Sequence, residues 1–176
     1  MLQNIAHQSS NEAQELRSLF EKLLKEIYWA TDVLLSVYED MKKNSTSKDL
    51  ITLIEKNGRE TSNHRPIVVK IFESTGIEAQ ALSYEAIECY IKEASDLVNY
   101  TKRGVVRDAA IIAILQKIKH YEIACYGTLR AYAIALREEH MLVLLEEMLK
   151  DAKQADLELS HIAESHINIE AADKEI

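Results

Sequence analysis

The chain has almost nothing with which to turn: its 176 residues include 4 glycines and 1 proline. A sheet needs a tight turn every few residues, and such turns draw on glycine, proline and short polar residues. An all-β or α/β fold would therefore lack its connections, and long helices are what remain. Apolar residues make up 47% and charged residues 28%, enough for a packed core and too little charge for disorder. The length fits a single all-α domain over 1–176, with a polar, frayed tail after about Ile169.

Helical periodicity marks the segments. The first runs from about Glu12 to Lys43, with Leu16, Phe20, Leu23, Ile27, Leu34, Tyr38 and Met41 on one stripe and Thr31 in its one gap. Asn44-Ser45-Thr46-Ser47 breaks it, and Ser47 reads as the N-cap of the next helix. That helix, about Lys48–Thr75, carries Leu50, Leu53, Asn57, Glu60, His64, Ile67 and Ile71, with Gly76 as a C-terminal stop. Pro66 cannot donate to the Ser62 carbonyl, which predicts a kink over Ser62–Pro66; the stripe resumes in phase, which favours a kinked helix over a loop. A shorter amphipathic segment spans Ser83–Tyr100. After Gly104 a third long helix, about Val105–Leu136, carries Leu115, Ile118, Glu122, Cys125, Leu129 and Tyr132. A tight turn near Arg137 leads to the fourth, about Glu138–Ser165, with Met141, Leu145, Met148, Ala152, Ala155, Leu159 and Ile162. Short loops within each pair and a long crossover between the pairs predict a ferritin-like antiparallel four-helix bundle whose crossover holds a short extra helix.

Charge narrows the partners. Twenty-one Lys+Arg against 29 Asp+Glu gives a net −8, which argues against nucleic acid and anionic membranes. The longest apolar run, Ala109–Leu115, is far short of a membrane span, and Met1–Ser10 lacks a signal-peptide core. Two cysteines, Cys89 and Cys125, cannot build a disulfide framework, so a reducing cytoplasm is the expected setting.

The informative residues are the polar ones on apolar stripes. Glu60 and His64 lie one turn apart on the second helix, and Glu122 sits between Ile118 and Cys125 on the third. A buried, unpaired carboxylate is costly, and two carboxylates with a histidine in one bundle core relieve that cost by sharing a cation such as iron, manganese or zinc. The ordinary alternative is that each acid is solvated at an edge or hydrogen-bonded to a buried partner, Tyr28 and Tyr121 being available. Glu158 and His161 have the Glu-x-x-His spacing of bundle metal sites, but Leu159 and Ile162 define the buried side and put them on the rim. His140 and His166 read as exposed, His120 as flanking the stripe, and Cys125 as a small core residue.

His120-Tyr-Glu-Ile-Ala-Cys-Tyr-Gly-Thr-Leu129, within Arg107–Leu129, resembles the third helix of the YciE/YciF-type stress proteins. Glu60-Thr-Ser-Asn-His64 is similar to that family's second-helix motif, and Glu164-Ser-His-Ile-Asn-Ile-Glu-Ala171 to its C-terminal signature. The likeness extends from about Glu15 to Ala171. It implies a four-helix bundle descended from di-iron carboxylate proteins, often dimeric, tied to stress responses and without a settled biochemical activity.

The departures from the family pattern weigh on the site. Where the pattern has glutamates this chain has Thr31 and Ala152, and Lys119 replaces the first acid of the third-helix motif. The resemblance leaves Glu60, His64, Glu122 and Asp156 as metal ligands. Three carboxylates balance a pair of divalent cations poorly but can hold one ion with His64. A degraded site holding at most one iron, manganese or zinc ion is the first expectation. The alternative is a metal-free structural or protein-interaction bundle, in either case a homodimer and with no assigned reaction.

Overall fold

The computed structural model describes residues 2–173, and among them there are helices and no strand. The first helix, α1, spans Leu2–Asn44 and starts well before the expected Glu12. No breaker lies between Gln3 and Asn11, and adding turns to an existing helix costs little. In α2, Lys48–Thr75, Ser47 Oγ accepts from the Leu50 N–H at 3.4 Å, and Gly76 closes the helix at φ 69°, the left-handed region that glycine enters freely. The helix runs through Pro66 without interruption; Ser62 and Pro66 are both exposed, so the carbonyl that proline cannot pair opens to water.

The crossover contains α3, Glu85–Tyr100, and leads into α4, Val105–Ala135. The turn after α4 has the Glu138 N–H bonded to Ala133 O at 2.9 Å and the Arg137 N–H to Ile134 O at 3.1 Å, a Schellman closure. Arg137 takes the left-handed position, φ 61°, where a Cβ is strained. The expected fourth helix is subdivided: a 3₁₀ turn at Glu139–Met141, α5 over Leu142–Ile162, a π turn over Ala163–Ile167, and α6 over Asn168–Asp173. The extra residue of the π turn keeps Ala163 and Ile167 buried, and the segment expected to fray stays helical to Asp173.

The helices form two hairpins, α1/α2 and α4/α5; α1 packs on α4, α2 on α5, and α3 lies over α1 and α4. Directions follow from one buried acid. Asp108, at the start of α4, accepts the N–H groups of Thr46 and Ser47 at 2.8 and 2.9 Å and the Thr46 hydroxyl at 2.6 Å. So α4 begins where α2 begins, and the crossover carries the chain back along about 42 Å of α2. Among the long helices α1, α2, α4 and α5, the packed neighbours are antiparallel, as the connectivity predicts. A Leu82 N–H to Lys25 O bond at 3.2 Å stitches the crossover to α1.

The core is split. One apolar cluster gathers residues such as Leu34, Ile54, Leu115 and Leu159; the other gathers Phe20, Phe72, Leu129 and Leu145. Each fully buried side chain of this kind contributes about 1.5–3 kcal/mol. Between the clusters, at mid-height, lies a layer of buried polar residues: Thr31, Asn57, Thr61, His64, Lys119 and Glu122. Among the described residues no helix is long and apolar enough to cross a membrane.

Candidate functional site in the mid-bundle polar layer

Helix α2 turns Asn57, Thr61, His64 and Val68 inward. Glu60, expected on that stripe, falls to its edge, and its side chain keeps 23% exposure. The nearest cation is Lys56, whose Nζ stands 3.8 Å from Glu60 and 2.7 Å from Glu158. Partial burial raises the Glu60 carboxyl above its ordinary value, with Lys56 pulling it back.

Glu122 lies in the core, and so does Lys119. Their side chains are each 2% exposed, with Nζ 2.7 Å from Oε2. The same ammonium sits 5.2 Å from the centre of the Tyr38 ring. Burial alone would push the Lys119 pKa down, but attraction to Glu122 and then to Tyr38 outweighs it and holds the ammonium above its ordinary value. Lys119 is therefore charged at neutral pH. Neither tyrosine expected on ordinary grounds bonds to Glu122: Tyr28 accepts from Arg65 at 3.0 Å, and the Tyr121 hydroxyl is buried without a partner among the described residues.

His64, 2% exposed, has Nε2 3.1 Å from Asp151 Oδ2 and Nδ1 3.4 Å from the Tyr126 hydroxyl. An Nε2–H donated to Asp151 leaves Nδ1 to accept from the phenol, so one tautomer satisfies both contacts. Burial pushes the Tyr126 phenol well above its ordinary value. Asp156 stands at the α4/α5 seam with His120 Nε2 at 3.5 Å, and that imidazole is 68% exposed. Thr31 and Ala152 are buried as expected, the Thr31 hydroxyl donating to Tyr28 O at 2.8 Å.

Three of the four residues expected to ligate a metal are thus met by different neighbours: Glu60 by Lys56, His64 by Asp151 and Tyr126, Glu122 by Lys119. The fourth, Asp156, has only the exposed His120 imidazole near its buried Oδ1, at 3.5 Å and without a hydrogen bond. Among the described residues no three His, Cys, Asp or Glu side chains gather as a group that could hold a metal ion. Sequence reasoning missed Asp151 altogether and left the inward turn of Lys119 open. The available signal was position: Asp151 adjoins Ala152 on the buried stripe, and Lys119 lies four residues after Leu115. Cys125 is a core residue as expected, its thiol pushed up to about 11 by burial.

A family described as a domain of unknown function, DUF892, matches residues 15–172. The protein YciF of Escherichia coli (strain K12) is 30% identical over 160 residues, 90% of this chain and 96% of YciF. The crystal structure of the E. coli stress protein YciF aligns with TM-score 0.83 at 30% identity, over 87% of this chain and 97% of that one. YcfI of Rhodopseudomonas palustris, provisionally described as a structural protein, aligns with TM-score 0.79 at 28% identity, over 82% and 92% of the two chains.

Proposed function

Because the chain belongs to the DUF892 family, whose YciF relative is a stress protein, we propose that it is a stress-associated structural bundle with its own cation at the centre and no need of a metal. The Lys119–Glu122 pair carries this reading, at 2.7 Å and out of solvent. A carboxylate buried at mid-bundle needs positive charge, and here a side chain of the same helix supplies it. The residues present do not fit a metal ion. A divalent cation beside Glu122 would face the Lys119 ammonium across a poorly screened interior. Glu60 stands beside Lys56 at the edge, and among the described residues the acids and histidines do not gather into a ligand set. The alternative expectation, a bundle without the metal site, is therefore preferred to a site holding one ion. The relative provisionally described as structural is in keeping with this.

Metal analysis of protein purified without chelator tests it, together with thermal unfolding with and without EDTA. The proposal predicts less than about 0.1 metal ion per chain and a melting temperature that EDTA leaves unchanged. Near-stoichiometric metal, or a melting temperature that falls by several degrees on chelation, would overturn it.

A further inference from the structure

Three side chains of the polar layer and its border are buried without a hydrogen-bond partner: the Asn57 amide at both nitrogen and oxygen, the Thr61 hydroxyl and the Tyr38 phenol. Their residues are 0%, 0% and 2% exposed. Hydroxyls inside helices ordinarily donate to a carbonyl three or four residues back, as Thr31, Thr52 and Thr75 do here at 2.8, 2.9 and 2.9 Å. Thr61 does not take this outlet; its side chain lies beside that of Tyr38, with no hydrogen bond made by either hydroxyl. Lys119 stands over the face of the same ring and gives one N–H to Glu122, leaving two more donors to place.

We propose that Tyr38, Asn57, Thr61 and Lys119 enclose a binding site for ordered water. Charge selects the ligand. A second cation would be repelled by the Lys119 ammonium, and an anion would meet the Glu122 carboxylate 2.7 Å from it. The unpaired atoms include a donor (Asn57 Nδ2) and acceptors (Asn57 Oδ1 and the two hydroxyls), with the remaining N–H groups of Lys119 beside them, which a small neutral molecule with both capacities satisfies. Water does so with two to four polar partners, the number that makes its confinement stable. Tyr38 also lines a groove of about 440 Å³ between α1 and α2, with Ile54 and Gly58 beside it. The bound water completes the solvation of the tethered cation inside the bundle.

A crystal structure at about 1.5 Å resolution reads this directly. The expected result is water density within about 3.2 Å of both Asn57 and Thr61. Direct bonds among Asn57, Thr61 and Tyr38 with no water between them would overturn the proposal. Thr61→Val gives an independent readout at nearly constant volume. A water that loses one partner lowers the melting temperature by about 2–4 °C. An unchanged or higher melting temperature means that the hydroxyl had no partner to lose and refutes the site. Neither readout depends on metal content, so this inference stands or falls separately from the functional proposal.

Discussion

Replacing Lys119 by Met keeps most of the stem's volume and removes the ammonium, leaving Glu122 buried at 2% exposure without the partner now 2.7 Å away. Breaking a buried pair from one side costs about 3–5 kcal/mol, because the remaining charge is uncompensated. At about 2–4 °C per kcal/mol for a chain of this size, the melting temperature at pH 7 falls by roughly 6–20 °C. The pH dependence has a definite sign. A lone buried Glu122 acquires a folded-state pKa above its unfolded value of about 4.3, so its ionisation destabilises the fold. The Lys119→Met deficit is therefore smallest below about pH 4 and grows as pH rises through that raised value. In the parent protein the Lys119 pKa is itself raised. Its contribution is complete below the unfolded value of about 10.4 and is lost only as pH climbs through the higher folded one. Circular-dichroism melts at pH 4 and pH 7 of Lys119→Met, Glu122→Gln and the double variant check this. The double variant should recover most of the loss, since removing both charges leaves none uncompensated. A Lys119→Met loss under about 1 kcal/mol, or an equal loss at both pH values, would refute the reasoning.

Two further outcomes follow from the helix ends. Asp108→Ala strands the Thr46 and Ser47 N–H groups that hold the α1–α2 loop against α4. It should cost about 3 kcal/mol, seen in urea titration as a lower midpoint at unchanged slope. Arg137→Gly relieves the left-handed backbone at φ 61°. Calorimetry should show a stability gain of up to about 1 kcal/mol, and a loss would mean that the Arg137 side chain contributes more than its strain costs.

The fold was legible because the same two signals, scarce breakers and spacing of three and four, locate every long helix and both short connections. Register within α2 was not. Between Asn57 and His64, both Glu60 and Thr61 complete a spacing of three and four, and both are polar, so neither periodicity nor hydropathy separates them. Packing does, by placing Thr61 in the core and Glu60 at the edge. Helix α4 posed a different problem. It packs against α1, α3 and α5, which widens its buried arc until Ile118 and Lys119 are both inside. An amphipathic reading expects one arc and leaves the ammonium at its margin. Asp151 carried only its position beside Ala152 as a signal, for a related reason: a half-exposed residue beside the stripe reads as solvated until a histidine from another helix is found 3.1 Å away. The start of α1 and the helical tail were underestimated because nothing in those segments forbids helix, and absence of a breaker is a weaker sign than an apolar stripe.

An anomalous-scattering crystal structure of protein expressed in medium supplemented with iron, manganese and zinc bears most directly on what fills the bundle's centre. The account predicts Lys119 Nζ within about 3 Å of a Glu122 oxygen and no anomalous peak in the polar layer. A peak coordinated by Glu122 with Glu60, His64 or Asp156, and the Lys119 ammonium displaced from it, would contradict the account.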